Sequence, residues 1–463
     1  MIEPGPLGRP GPARRGHPFA WLAGVLALVL AVTAVVVALH LRSPADDGTG
    51  ALPTPTATTP TPTPSPPDPE QVRLAALDRL LAVRSKAVLE RDPAAWLATV
   101  DPQDSVFRKR QQAQFANLAK LPLSRWRYSV VGPGAQLSAV RQAALGPDAW
   151  IAQVDLGYRL GAADRTDVHS TEYLTLVQRS GAWLVTGDRD AKSSTEIWDL
   201  GPLTVQKGKS SVVIGLGPAS ALTGYVAQAD AAVTRVSTIW GRAWPRRVVV
   251  LVPKTQAQMG RLLDRSSASL GQIAAVTTGE LTAAQGAPAG GADQIIINPA
   301  GFAKLGSLGR RVVITHEATH VAVRASTPRQ VPIWLSEGFA DYVGYSGLDL
   351  PRTEVAADVL GLVRRGTGPK QLPDAADFDT TQSTIGPSYS ASWLACQLIS
   401  DRFGQAKLLA FYRATAGATR LKGVSATTSP EVAAGAAFRS VLAVSQAAFT
   451  KSWLSYLTKL AAE

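Results

Sequence analysis

The feature that most constrains this chain is a pair of histidines four residues apart in an apolar segment. His316 and His320 lie in VVITHEATHVAV. Because an α-helix has about 3.6 residues per turn, both imidazoles leave the same face and can bind one metal ion. Glu317 lies about 100° around the helix from His316, where it can reach a water molecule on that ion without being a ligand. The spacing predicts a metal-binding helix with Glu317 as the candidate general base.

A zinc site of this kind needs a third protein ligand and an open position for water. The remaining histidines, none of them in the C-terminal half, are His17, His40 and His169. A carboxylate is therefore the expected third ligand. After the breaks at Pro328 and Pro332, the segment WLSEGFADY offers Glu337, 17 residues beyond His320. That interval accommodates a helix end, a loop and a second helix start.

Two other residues of WLSEGFADY fit a metal-binding helix pair. Gly338 has no side chain, which lets two helices approach closely. Asp341 falls one turn after Glu337 on the same face. A carboxylate there can accept the second N–H of a ligating histidine and fix its tautomer.

These two segments resemble the gluzincins, zinc peptidases with H-E-x-x-H followed by a helix carrying E-x-x-x-D, and WLSEGFADY is similar to the peptidase MA-like group, related to the aminopeptidases. The resemblance implies a zincin domain of the thermolysin and aminopeptidase type. It also implies Zn²⁺ as cofactor and a peptide or protein substrate. The implied residues are His316, His320 and Glu337 as ligands, Glu317 as base and Asp341 behind the histidines.

Other metal-dependent classes fit the pattern less well. The extended metzincin motif would have Gly at Val323 and His at Ser326. A non-haem iron oxygenase also uses two histidines and a carboxylate, but the adjacent Glu317 favours hydrolysis. A third alternative is a chance match in a buried helix, and a fourth is an inactive zinc fold.

The resemblance also suggests substrate contacts. In related proteases an edge strand at this place in the chain pairs with the substrate backbone. The segment QIIINP, shortly before the metal-binding helix, makes Ile296, Ile297 and Asn298 the candidates for that role. The alternative is that the isoleucines are only core residues.

A tyrosine in related enzymes donates a hydrogen bond to the tetrahedral oxyanion. Tyr389, at the start of a helix predicted over 388–403, is the candidate here. Tyr342 and Tyr345 are the alternatives, and a packing role for Tyr389 is the other interpretation.

The N-terminal region has the pattern of a membrane anchor. Residues 19–39 are an apolar run of about 20 residues, the length of a transmembrane helix. The arginines before the run favour a cytoplasmic N-terminus. We therefore predict a cytoplasmic tail (1–18), one transmembrane helix (19–41) and extracytoplasmic domains on a single-pass cell-membrane protein. A cleaved signal peptide is the alternative, but the apolar run is long for one.

The segment 42–69 is rich in proline and threonine, which predicts an extended linker. Cys396 is the single cysteine, so no intrachain disulfide can form. The net charge of +12 comes from scattered basic residues without a nucleic-acid-binding motif, so no nucleic-acid partner is expected. An anionic cell surface is the simpler explanation of this charge.

The remainder predicts two α+β units. Residues 70–198 have helical periodicity followed by strand-like runs, and the hairpin LVQRSGAWLVTGDRD resembles nuclear-transport-factor-like cone domains. That fold hosts enzymes and inert modules alike, and Asp167 with His169 is expected in a solvated loop. Residues 199–463 are the predicted metallopeptidase domain, in which we expect helices at about 219–240 and over 354–364 and a strand over 273–277.

The leading hypothesis is a membrane-anchored, extracytoplasmic zinc peptidase. The alternative is a non-catalytic surface binding protein with a structural or degenerate zincin domain. Oligomeric state is left open.

Overall fold

A computed structural model describes residues 68–271, 273–278, 291–378 and 385–463. The chain folds as a mixed α+β protein, which confirms the fold class at that level. The predicted tail, transmembrane helix and nearly all of the linker lie outside the described residues. Within the described ranges, no single helix combines the length and apolar composition of a membrane span. Two consecutive helices, Pro430–Leu442 and Gln446–Ala462, reach that length and apolar composition only when taken together, and the chain bends by 82° between them.

The N-terminal unit consists of helices and an antiparallel sheet in the predicted order, except that one short helix lies between the first two strands. Its helices are α1 (Pro69–Glu90), α2 (Pro93–Ala98), α3 (Ser105–Leu118) and α4 (Ala139–Leu145). Its strands are β1 (Leu123–Pro133), β2 (Trp150–Leu160), β3 (Val168–Arg179) and β4 (Ala182–Gly187), paired in chain order. Asp68 begins α1 by accepting a hydrogen bond from the Glu70 amide, and Ser180-Gly181 closes the β3–β4 hairpin with two positive φ angles. These local signals explain why the element order was readable from the chain.

The prediction that His169 lies in a loop was wrong. His169 is part of β3, on an exposed position, and its Nδ1 lies 2.8 Å from Asp155 Oδ2. Asp167, just before the strand, pairs with Arg125 and Arg159. These are surface contacts between neighbouring strands, so the conclusion that His169 forms no site is unchanged.

The second unit contains a mixed five-stranded sheet. Its strands are β5 (Thr204–Lys207), β6 (Ser211–Gly215), β7 (Val248–Val252), β8 (Ala275–Thr277) and β9 (Gln294–Ile297). The spatial order is β5-β6-β7-β9-β8, with β6, β7 and β9 parallel and the two outer strands antiparallel. The inner strands are buried along their length, as expected of strands that read as continuous apolar runs. Helix α5 (Ala219–Trp240) connects β6 to β7 and spans the range that the sequence predicts.

The expectation that the Ile296–Ile297 strand is a sheet edge was wrong. β9 pairs with β7 on one side and with β8 on the other, so its backbone groups are already used. Ile296 and Ile297 are core residues. Asn298 is fully buried, donates to the carbonyls of Leu270 and Ile273, and accepts from the Ala300 amide. Strand β8 is the outer strand at this side of the described sheet.

Helices make up the rest of the second unit. They are α6 (Gln256–Leu262), α7 (Pro299–Ala303), α8 (Ser307–Arg324), α9 (Ile333–Tyr345), α10 (Arg352–Val355), α11 (Ala357–Arg364), α12 (Ile385–Phe403), α13 (Gln405–Thr415), α14 (Pro430–Leu442) and α15 (Gln446–Ala462). The single helix predicted over 354–364 is divided at Ala356, whose backbone is non-helical. Helix α8 packs against α5, α9 and the sheet, and α9 packs against α12.

All strands of the first sheet lie before the predicted 198/199 boundary, and all strands of the second sheet lie after it. Side-chain hydrogen bonds connect the two units. Asn117 of α3 donates to the carbonyls of Trp198 and Gly201 and accepts from the Leu203 amide. Gln294 of β9 donates to the Tyr158 hydroxyl over 3.3 Å. The units therefore share buried polar contacts as well as apolar ones.

Gly338 allows the close approach of α9 to α12. A Cβ added there would lie 2.3 Å from Ser392 O, a backbone atom that cannot move without shifting α12. We expect Gly338→Ala to lower the free energy of unfolding by about 3 kcal/mol, measured by urea denaturation.

The matched control is Gly224→Ala on α5, where an added Cβ meets nothing within 4 Å. Alanine is the better helix former, so this variant should gain about 0.5–1 kcal/mol. Equal urea midpoints for the two variants would contradict the helix-contact explanation.

Candidate metal centre

The site is built by two helices whose facing surfaces are buried. His316 and His320 lie one turn apart on α8, and Glu337 lies on α9 after the Pro328 and Pro332 breaks. Residues 312–323 are all buried, so α8 runs through the core of the unit. Gly344 of α9 faces Val312 of α8, where an added Cβ would meet backbone and side-chain atoms at 3.3 Å. The small residue brings α9 close enough for its carboxylates to reach the imidazoles.

The three predicted ligands converge. His320 Nε2 lies 2.9 Å from His316 Nε2, His316 Nε2 lies 3.2 Å from Glu337 Oε2, and His320 Nε2 lies 3.5 Å from the same oxygen. Within the part of the chain that the structure describes, this trio is the His/Cys/Asp/Glu group with metal-binding geometry. The sequence prediction that these residues come together is confirmed.

The size of this triangle fits a divalent first-row metal ion. Bonds of about 2.0–2.1 Å to a tetrahedral ion place neighbouring ligand atoms about 3.3 Å apart. The observed separations of 2.9, 3.2 and 3.5 Å bracket that value. Two imidazoles and one carboxylate suit zinc and its neighbours, and the ligand set does not by itself select among them.

The charge balance of the site also favours a cation. Glu317, Glu337 and Asp341 are buried together with the two histidines. Burial raises the pKa of Glu337, but the two imidazoles lower it more strongly, to about 2. For His316, burial acts in the opposite direction and lowers the pKa. The Asp341 carboxylate and hydrogen bonds to Asp341 and Glu337 outweigh burial and raise the pKa of His316 to about 10. Buried carboxylates are costly without positive charge, and a divalent ion bound to the imidazoles would supply it.

Asp341 occupies the predicted position behind His316. Its Oδ1 lies 2.8 Å from His316 Nδ1, which assigns the proton of the neutral ring to Nδ1 and leaves Nε2 as the metal-facing nitrogen. The other histidine has Ser336 Oγ at 3.5 Å from its Nδ1. Different residues of α9 therefore contact the two rings.

Replacing Asp341 with asparagine should weaken metal binding without abolishing it. An amide at this position is a poorer acceptor, and loss of such a partner costs about 10–100-fold in metal affinity. Competition with a fluorescent chelator measures the effect. Asp349→Asn is the control, because that carboxylate is exposed and lies after the end of α9. Equal affinity of the Asp341 variant and the control would show that the contact does not orient His316.

Glu317 is held by a residue that sequence reasoning did not single out. Thr277, the last residue of β8, donates its hydroxyl to Glu317 Oε2 over 2.7 Å. The signal in the sequence is a polar residue ending an otherwise apolar predicted strand, but only the fold shows that this strand lies beside α8. The outer strand therefore contacts the candidate base directly.

The three candidate tyrosines differ in position. Tyr389 is fully buried on α12, with its ring 6.3 Å from the His316 ring and 5.2 Å from Phe378. Tyr342 directs its hydroxyl to Ser400 Oγ at 2.9 Å, and Tyr345 packs on Trp393. Tyr389 stays the candidate for a site role because its ring neighbours His316, one of the candidate metal ligands.

Comparisons with family models, with curated proteins and with solved structures find no match to this chain. The gluzincin resemblance therefore depends on the residues of α8 and α9 and on the geometry described above.

Proposed function

We propose that this protein is a zinc-dependent peptidase. The observation that supports it best is the triangle of His316, His320 and Glu337 with a fourth buried side chain, Glu317, one residue from the first ligand and outside the ligand set. Metal-activated hydrolysis needs three protein ligands, an open position and an adjacent base. The ligand geometry supports hydrolysis in general, and the resemblance to gluzincins selects an amide as the substrate.

The chain's residues have distinct tasks in this mechanism. Zinc held by His316, His320 and Glu337 would lower the pKa of a bound water to about 7 and polarise a carbonyl group. Glu317 accepts the proton of the attacking water and later returns it to the leaving amine. Thr277 fixes the Glu317 rotamer through Oε2, and Asp341 holds His316 in the metal-binding tautomer. Tyr389 is the proposed donor to the oxyanion.

The predicted anchor at 19–41 makes the proposed peptidase a membrane-bound, extracytoplasmic enzyme that acts on peptides or proteins. The linker at 42–69 would hold the folded units away from the bilayer. Both statements extend the sequence prediction, since the segment lies outside the described residues.

Metal analysis combined with a peptide library tests the proposal. The purified chain should contain one equivalent of zinc and cleave members of a mixed peptide library, with products identified by mass spectrometry. A metal chelator should stop the cleavage, and zinc should restore it. Zinc bound without cleavage of any library member would favour the alternative, a non-catalytic binding protein with a structural metal. Iron bound in place of zinc would overturn the proposal that the protein is a zinc-dependent hydrolase.

A further inference from the structure

A cavity of about 540 Å³ lies in the N-terminal unit, away from the metal centre. Its walls come from α3, from one face of the sheet, from the segment after β4 and from Arg261 of α6 in the second unit. Cavities of about 300–1,000 Å³ hold small organic ligands. The cavity is therefore large enough for a ligand that touches both units.

The walls carry more cationic than acidic side chains. The cationic residues are Arg84, Arg110, Lys120, Arg189, Lys192 and Arg261, and the acidic ones are Glu172, Asp188 and Asp199. Asp188 is paired with Arg110 and lies 3.9 Å from Arg189. Lys192 pairs with Asp264, outside the cavity wall. Within the described residues, Arg84 and Arg261 form no ion pair with a carboxylate.

Arg84 is the buried cation of this set, with 2% of its surface exposed. Its two terminal nitrogens donate to Thr99 Oγ1 and Gln111 Oε1, both neutral acceptors, and its guanidinium stacks on Trp96. Among the described residues, its Nε has no hydrogen-bond partner. A buried guanidinium without a counter-anion is costly, and an anionic ligand would supply that charge.

Glu172 is half-buried and lines the cavity from β3. It lies on β3 opposite Val154, which in turn lies opposite Val130 of β1. Its carboxyl group makes no hydrogen bond or ion pair within the described parts of the chain. Tyr128, Leu174 and Trp198 line the same cavity and supply aromatic and aliphatic surface.

We propose that this cavity is a binding site for a small amphipathic organic anion, whose charged group lies among the lining arginines and whose apolar part lies against the sheet. The inference is independent of the peptidase proposal, since none of these residues belongs to the metal centre. It makes the N-terminal unit a ligand-binding module.

The charge on Glu172 should control the affinity. Burial, reinforced by Asp199, Asp188 and Glu196 and opposed by Arg84, raises the pKa of Glu172 to about 8. Below that pH the carboxyl group is neutral and can donate a hydrogen bond to an anion. Above it the carboxylate repels the anion, so affinity is present at pH 7 and is lost as the pH rises through about 8 to 9.5.

The probes are 8-anilinonaphthalene-1-sulfonate and N-phenyl-1-naphthylamine, which have the same rings with and without the anionic group. Fluorescence titration of the purified full-length chain at pH 7 should show one saturable site for the sulfonate, with about tenfold weaker binding of the neutral probe. Equal affinities would overturn the requirement for an anion. Absence of saturable sulfonate binding would overturn the site.

Two variants locate the site without disturbing the core. Ala116→Trp on the exposed part of the α3 wall should lower sulfonate affinity at least tenfold, whereas Val106→Trp, exposed on the same helix and outside the cavity, should not. Unchanged affinity in the Ala116 variant would place the probe elsewhere.

The pH series tests the role of Glu172. Wild-type affinity for the sulfonate should fall about tenfold between pH 7 and pH 9.5, because the probe stays ionised while Glu172 becomes charged. Glu172→Gln imitates the neutral carboxyl group and should lose most of this fall in affinity, and the remainder belongs to Glu196, whose pKa is raised by burial to about 7. A variant that keeps the wild-type pH dependence would exclude Glu172 as the controlling group.

Discussion

Replacing Glu317 with glutamine should lower kcat by about 10²–10⁴-fold on the library peptide that the wild-type chain cleaves fastest. Glutamine keeps the shape of the side chain and can still accept a hydrogen bond from Thr277, so the buried packing is retained. It cannot accept a proton from water at neutral pH. Bound metal should stay at one equivalent, because Glu317 lies outside the ligand triangle. Steady-state kinetics with metal analysis of the same sample checks both parts.

The control for this variant is Glu431→Gln in the first turn of α14, an exposed carboxylate far along the chain from the site. It should leave kcat and metal content unchanged. A Glu317 variant that keeps more than about a tenth of wild-type kcat would remove Glu317 from the role of general base. Loss of metal in that variant would instead show that Glu317 takes part in binding the ion.

Metal removal should have the largest effect on stability. A ligand that binds the native state at a free concentration about 1,000 times its Kd contributes about 4 kcal/mol to folding. We therefore expect a chelator to lower the thermal unfolding midpoint of the second unit by about 8 °C, and added zinc to restore it. Differential scanning calorimetry at constant protein concentration measures the shift.

Histidine variants assign that shift to the site. His320→Ala should abolish the response to chelator and zinc, since two of the three ligands bind a dication far more weakly. His169→Ala should keep the full response, because His169 is exposed and pairs with Asp155 in the other sheet. Comparing each variant with and without metal separates ion binding from the direct cost of the substitution. A wild-type midpoint that does not move on chelation would contradict a folded-state metal site.

Local patterns in the chain determined much of the candidate metal centre. The four-residue spacing of His316 and His320 acts within one helix, where the periodicity alone sets which side chains share a face. The helix breaks at Pro328 and Pro332 predicted that a second helix follows, and the missing side chain at Gly338 predicted that this helix can pack closely against another helix. The structure places α8 and α9 accordingly, with Asp341 beside His316. Helix α5 was equally readable, because caps and apolar periodicity operate over a few residues.

The order of the strands in the second sheet could not be predicted from the sequence. The sequence shows that Ile296 and Ile297 form a strand, but not that β9 lies inside the sheet with β8 outside it. Pairing partners are chosen by contacts between segments distant in the chain, and both strands are short and mostly apolar. For the same reason Thr277 was missed as the partner of Glu317, and Glu172 was not recognised as a carboxyl group on a cavity wall. The chain by itself determined which side chains could meet on one helix face. The tertiary structure decided which distant strand, tyrosine and carboxyl group surround them, since that depends on long-range packing.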